Sequence, residues 1–154
     1  MTLTLRDARR DEVPTIVRML ADDELGGARD RVEDPLPQAY YDAYEEIERD
    51  PNNRLLVAEI DGEIVGTMQL TFLPGLSRRG ARHAQVEAVR VASHRRGKGI
   101  GQQMMAQAIE IARARGCGIM QLSSHKSRVD AHRFYEQLGF AASHVGMKLP
   151  LARA

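Results

Sequence analysis

The run Arg95-Arg96-Gly97-Lys98-Gly99-Ile100-Gly101 places three cations and three glycines within seven residues. Glycine lets a backbone amide approach an anion closely, because no Cβ stands in the way. The run sits between a β-rich stretch, 85–91, and the start of an amphipathic helical pattern. A helix start carries unpaired N–H groups and the positive end of the macrodipole, so the arrangement predicts a phosphate site. A solvated basic turn, made flexible by its glycines, is the plainer alternative. Two familiar phosphate motifs do not fit. A P-loop needs Gly-Lys followed by Ser or Thr, with a further Gly upstream, but here Gly99 follows Lys98 and Ala92 takes the upstream place. A dinucleotide fingerprint opening at Gly97 needs glycine where Gln102 stands.

The elements that must position this loop can be read outward from it. On its helix, Ile100, Met104, Ala108 and Ile111 form one stripe, with Gln103, Gln107, Glu110 and Arg113 off it and Gly116 suited to the C-cap. Upstream, 55–60 and 64–73 read as strands joined at Asp61-Gly62, a pair suited to the positive φ values of a type I′ hairpin. Pro74-Gly75 closes the second arm, and Ser77, Arg78, Arg79 and Gly80 form a loop. Residues 2–5 alternate as a first strand. Val13, Ile16, Val17 and Leu20 then fall at helical spacing, with Pro14 tolerable in the first turn. Gly26-Gly27 breaks that pattern, and the polar stretch to Pro37 reads as loop. A second helix carries Tyr40, Tyr44 and Ile47 on one face and ends at Asp50-Pro51-Asn52-Asn53. Downstream come a strand over 119–122, a helix over 130–138 stopped by Gly139, and a last strand over 145–149. With no repeats and no low-complexity linker, residues 1–154 read as one α/β domain, a central mixed sheet flanked by helices.

The loop resembles the signature of the Gcn5-related N-acetyltransferase (GNAT) superfamily: Gln or Arg, two residues, Gly, one residue, then Gly or Ala. Arg96, Gly99 and Gly101 match it. A second feature of that family, Phe-Tyr-x-x-x-Gly-Phe, is present from Phe134-Tyr135 to Gly139-Phe140, and the order of elements is similar over nearly the whole chain. The resemblance implies a GNAT-like acyltransferase fold and acetyl-CoA as donor. It implies that the backbone of Val89, Arg90 and Val91 lies along the pantetheine arm. It also implies that the amides of Gly97, Lys98, Gly99, Ile100, Gly101 and Gln102 hold the pyrophosphate. Ala131 fits the family's approach to the Phe-Tyr pair, while the position that often carries Asn holds Arg128.

Acetylating an amine requires a base to take the ammonium proton, stabilisation of an oxyanion and a proton for the leaving thiolate. Plain alternation puts Glu87 on the strand face of Val89 and Val91, and apolar neighbours raise a carboxylate's pKa, which suits a base. A salt-bridged strand glutamate is the alternative. Tyr135, by its place in the second motif, is implied as the acid that protonates the thiolate; the alternative is a core-edge tyrosine packing on Phe134 and Phe140.

Other polar residues read as structural. His83, His94, His125, His132 and His144 show no zinc-type spacing, so no metal is expected, and His125, after Ser123-Ser124, is the alternate active-site histidine. Cys117 reads as a small buried hydrophobe. Tyr40, Tyr41 and Tyr44 read as core or interface, though in this fold their helix borders the acceptor cleft. Arg78 and Arg79 read as a solvated loop. Lys and Arg total 22 against 21 Asp and Glu, a balance that argues against a nucleic-acid or membrane-surface binder. One cysteine, an uncleaved-looking N-terminus and no long apolar run lead to the expectation of a cytoplasmic protein. The acceptor is expected to be a primary amine of a small molecule or peptide. An O-acyltransferase or a non-catalytic acyl-CoA sensor is the alternative, and a homodimer through apolar residues on the last strand is an open possibility.

Overall fold

Period-two burial and period-3.6 burial alternate along the chain, and the computed structural model, which describes residues 2–152, resolves them into one sheet with helices on both faces. The five strands are β1 (Leu3–Asp7), β2 (Asn53–Ile60), β3 (Glu63–Leu73), β4 (Arg82–Val91) and β5 (Cys117–Leu122), ordered β1-β2-β3-β4-β5. The first three pairings are antiparallel. The neighbours β4 and β5 are joined by the helix α5 (Ile100–Ala114), the kind of crossover a parallel pair needs. The sheet is therefore mixed, as expected. Asp61 (φ +50°) and Gly62 (φ +79°) both take the left-handed conformation that the tight turn between β2 and β3 demands.

Gly66, Met68, Leu70 and Phe72 alternate along β3 and are buried, pairing with half-buried Val91 and with buried Leu56, Val86 and Ala84. Helix α5 covers this face with Ile100, Met104, Met105 and Ala108. A Cβ at Gly66 would sit 2.5 Å from Met104 Sδ and 3.0 Å from the Arg90 carbonyl, so the Met104 side chain, which packs over this glycine, would have to move to admit one. The opposite face holds Val57 against Ala8 and Ile16, beside a second cluster of Val13, Val17 and Tyr44. Those side chains come from α1 (Val13–Leu20) and α3 (Gln38–Arg49). The Tyr44 hydroxyl donates to the Ala8 carbonyl at 3.2 Å, a structural role.

Three expectations need correction. The stretch at Gly26-Gly27 is not loop but a short helix, α2 (Glu24–Arg29). Asp23 caps it, its carboxylate accepting from the Gly26 N–H at 2.5 Å, and Gly26 is required because a Cβ would lie 1.8 Å from the Leu20 carbonyl oxygen. Glycine here serves packing, which composition alone reads as a break. The segment Ser77–Gly80 forms a single helix-like turn, α4, whose Arg78 and Arg79 are left-handed. Residues 145–149 form no strand; alternation of apolar residues is not by itself enough to make one.

The chain divides into two compact units, Met1–Gln121 and Leu122–Ala154. In the second, α6 (Val129–Gln137) ends as Gly139 turns at φ +103°, and the Phe140 N–H closes on the Tyr135 carbonyl at 3.0 Å. Tyr135 sits edge-on between Phe134 (5.2 Å) and Phe140 (5.7 Å).

Candidate functional site

β4 ends at Val91, and buried Ala92 pins the next turn by donating its N–H to the Val65 carbonyl at 2.8 Å. A single 3₁₀ turn, Ser93–Arg95, follows. Gly97 (φ +78°) and Gly99 (φ +77°) then reverse the chain into α5, with Gly99 as N-cap and buried Ile100 as anchor. Left-handed backbone costs a residue with a Cβ about 1–2 kcal/mol, so these two glycines are set by conformation. A Cβ on Gly97 would meet no atom within 4 Å, and one on Gly99 only Gln102 Oε1 at 3.9 Å; the side facing the turn is open space. The first bond of the helix runs from the Gln103 N–H to the Gly99 carbonyl at 3.2 Å. The amides of Ile100, Gly101 and Gln102 come before it and have no intrahelical acceptor. They stand at the positive end of a 15-residue helix, where an anion can be held.

The cations divide their work. The Arg95 guanidinium donates to both carboxylate oxygens of Glu63, at 3.3 and 2.9 Å, and His94 shares the first oxygen at 2.7 Å. Arg95 thus ties the loop to the start of β3. Arg96 folds back, its Nε–H donating to the Val91 carbonyl at 3.2 Å, with Asp22 at 4.0 Å. Lys98 makes no hydrogen bond or ion pair among the described residues and is exposed, ready for an anion. Glu63 was visible in sequence only as a hairpin flank, since its partners lie 31 and 32 residues on.

The Arg95 guanidinium, then His94, hold the Glu63 carboxyl down at about 2, from an ordinary 4.5, against the opposing effect of desolvation. A carboxyl depressed in the folded state stabilises fully above its ordinary range and loses that contribution as pH falls toward the folded value. The melting-temperature gap between the wild type and Glu63→Gln is therefore expected to be constant from neutral pH to about 5 and to close toward pH 2. Calorimetry across that range checks it, and a gap independent of pH would remove the tether.

β4 carries a second irregularity that alternation missed. Gln69 pairs with Glu87 and Thr67 with Arg90, so Ala88 and Val89 together face Met68. Ala88 takes φ +54°. This is a β-bulge, and it switches the faces of the strand. Glu87 consequently shares its face with Arg90, while Val91 lies with Gly66 on the other; the expected grouping of Glu87 with Val89 and Val91 does not occur. Glu87 is exposed, and its Oε1 accepts from Gln85 Nε2 at 2.6 Å, whose own Oε1 accepts from Gln121 Nε2 at 3.1 Å. The apolar surroundings expected for this carboxylate are absent. No glycine marks the bulge, and Ala88 gave no sign of a positive φ. Arg90 packs inward, donating to the Val89 carbonyl at 2.9 Å and lying 3.6 Å from Asp23.

The remaining candidates take structural places. Tyr40 donates to Asp30 at 2.9 Å and accepts from the Arg31 N–H at 3.0 Å. Tyr41 lies under the Arg10 guanidinium at 4.4 Å and lines a cleft of about 400 Å³ with Pro14, Arg18, Val32 and Leu36. Cys117 is half-buried, and burial pushes its thiol up. His125 closes a local turn with Ser127, its Nδ1 at 2.8 Å from Oγ, and His132 reaches the His125 carbonyl at 3.0 Å. His144 contacts Ser143, and His83 stands opposite Leu73 within the sheet. Arg128 is the N-cap of α6. Among the described residues no group of His, Cys, Asp and Glu could hold a metal ion, and no helix is long and apolar enough to cross a membrane.

Comparison with known proteins adds an independent line. Residues 16–140 match the model of the acetyltransferase (GNAT) family. The chain is 35% identical over 111 residues to an aminoalkylphosphonate N-acetyltransferase of Salmonella typhimurium, covering 70% of this chain and 69% of that one. It is 36% identical over 90 residues to a glucosamine 6-phosphate N-acetyltransferase of Trypanosoma brucei brucei, covering 58% and 59%. Among solved structures, a transcriptional regulator from Bacillus halodurans C-125 is 49% identical, with a TM-score of 0.94 over 97% of this chain and 100% of that one.

Proposed function

Because the chain belongs to the acetyltransferase (GNAT) family, we propose that it transfers the acetyl group of acetyl-CoA to the primary amine of a small molecule or peptide. It is an N-acetyltransferase, like its named relatives. The observation that carries the donor assignment is the strand-to-helix turn. Two left-handed glycines open it, and unbonded amides at the start of α5 line it. Lys98 supplies mobile positive charge there, and Arg96 holds the turn by its bond to Val91. The two residues of the β4 bulge, Ala88 and Val89, lack separate partners in β3, which leaves backbone groups of this stretch for a ligand running along the strand. Bound acetyl-CoA supplies the thioester carbonyl.

Glu87 is assigned as the base. Its exposed carboxylate, held by the Gln85 amide, takes the ammonium proton directly or through one water. The freed amine forms the new N–C bond as the C–S bond breaks, Tyr135 is assigned, on its motif position, to give its hydroxyl proton to the departing thiolate, and the proton shed by the new amide nitrogen passes through solvent to restore the tyrosine. Glu87→Gln is expected to abolish the acidic limb of the pH–rate profile and to lower kcat about 10²–10⁴-fold, since an amide cannot accept that proton. An acidic limb unchanged in the variant would remove Glu87 as base.

The two relatives described above are named for small amines bearing a phosphonate or phosphate, so such amines head the panel that tests the reading. Free-thiol release from acetyl-CoA is measured with aminoalkylphosphonates, amino sugar phosphates, polyamines and peptide N-termini. At least one is expected to give amine-dependent turnover. Acetyl-CoA binding without thiol release from any amine would assign the loop to sensing instead.

A further inference from the structure

Asn53, Thr71 and Gln85 are register neighbours across β2, β3 and β4, and Gln69 stands directly opposite Glu87, so these side chains share one face of the sheet. Two chains of hydrogen bonds run across that face, and each ends on a carboxylate. In the first, Gln69 Nε2 and Thr71 Oγ1 both donate to Asn53 Oδ1, at 3.1 and 2.7 Å, and Asn53 Nδ2 donates to Asp50 at 2.7 Å. In the second, Gln121 Nε2 donates to Gln85 Oε1 at 3.1 Å, and Gln85 Nε2 donates to Glu87 Oε1 at 2.6 Å. The two chains do not mix. Gln69 is committed to Asn53, and among the described residues the hydrogen bond to the Glu87 carboxylate comes from Gln85 alone.

The direction of the second chain follows from the groups in it. An ionised carboxylate only accepts, so the Gln85 NH₂ must face Glu87. The Gln85 carbonyl oxygen then faces away, and only a donor can stand beside it. Gln121, on the neighbouring strand β5 and 36 residues further along the chain, supplies that donor. A terminal amide turns about a broad, roughly two-fold torsion, so an unassisted Gln85 would present its oxygen to the carboxylate as readily as its nitrogen. The bond from Gln121 selects the nitrogen. Gln85 in turn occupies Glu87 Oε1, which leaves Oε2 for a proton. An exposed glutamate loses rate whenever its side chain leaves the productive rotamer, so holding it has a kinetic consequence.

We propose that Gln121 is a positioning residue for acetyl transfer, acting through Gln85 to hold the Glu87 carboxylate by Oε1 and to keep Oε2 for the amine's proton; this rests on the assignment of Glu87 as base. Gln121 is exposed and no part of the apolar core, so its replacement leaves the sheet standing.

Two measurements on the whole chain test it. In the protein alone, NMR of the side-chain amides reads the bonds directly. The Gln85 NH₂ resonances are expected to shift both in Glu87→Gln and in Gln121→Leu; resonances that keep their place in Gln121→Leu overturn the proposal. Turnover is then followed by thiol release with the fastest acceptor of the amine panel. Gln121→Leu is expected to lower kcat about tenfold, the worth of one net hydrogen bond, with the KM for acetyl-CoA unchanged. Gln121→Glu can only accept, so it turns the Gln85 amide the wrong way and is expected to lower kcat at least as far. Gln121→Lys can only donate and is expected to recover most of the loss. In a Glu87→Gln background none of the three should have a further effect, because they act through that carboxylate. Wild-type kcat in Gln121→Leu, or equal losses in Gln121→Glu and Gln121→Lys, overturns the proposal even where Glu87→Gln is slow. Wild-type kcat in Glu87→Gln removes the base itself and the proposal with it, so that single variant tells the two failures apart.

Discussion

Gly99→Val is expected to weaken acetyl-CoA binding about a hundredfold or more while the sheet and its two faces persist. At φ +77° a β-branched residue is strained by at least ~1–2 kcal/mol. Relieving that strain means rotating the residue whose carbonyl accepts the first bond of α5 and whose neighbours present the free amides. Added bulk also stands on the open side of the turn, where the nearest atom to a Cβ is Gln102 Oε1 at 3.9 Å. A hundredfold loss corresponds to about 2.7 kcal/mol, within reach of strain and lost hydrogen bonds together. Gly116→Val provides the control. Gly116 is left-handed at φ +75°, with nothing within 4 Å of a Cβ, but it lies at the other end of α5. Both variants suffer comparable strain and should lose comparable stability, whereas only Gly99→Val should lose affinity. Calorimetric titration of both with acetyl-CoA makes the comparison; equal affinities would mean that the turn does not hold the pyrophosphate.

What could be read from the chain, and what could not, follows from the range of the interaction involved. Asp61-Gly62 and the glycines at 97 and 99 announce positive φ through residue type, and all four residues adopt it. The stripe through Ile100, Met104, Ala108 and Ile111 is a local period; its first three residues are buried and Ile111 is half-buried. Ala88 adopts a positive φ without any residue-type signal, because the bulge is imposed by register against β3; the faces of Glu87 and Val91 were therefore assigned by an alternation that the fold interrupts. Glu63 and Gln107 gained their roles through partners about 30 and 100 residues away in sequence, Arg95 and the backbone of β1. The pattern of 145–149 reads as a strand, but alternation supplies only one side of a ladder, and the segment does not take up strand structure.

Tyr135→Phe is expected to lower the rate of acetyl transfer about 10²–10⁴-fold with little change in acetyl-CoA affinity. The substitution removes one oxygen and keeps the ring, so the edge-on contacts with Phe134 and Phe140 at 5.2 and 5.7 Å persist. A proton delivered to a leaving thiolate matters only as the C–S bond breaks, so its loss belongs to the chemical step and leaves ground-state binding untouched. Product release can mask that step in steady-state kcat, and single-turnover measurement with enzyme in excess over acetyl-CoA reads it directly. The discriminating pattern is a slow single turnover with an unchanged dissociation constant. Equal losses of affinity and melting temperature would give Tyr135 a packing role, and wild-type single-turnover rates would leave the thiolate to take its proton from water.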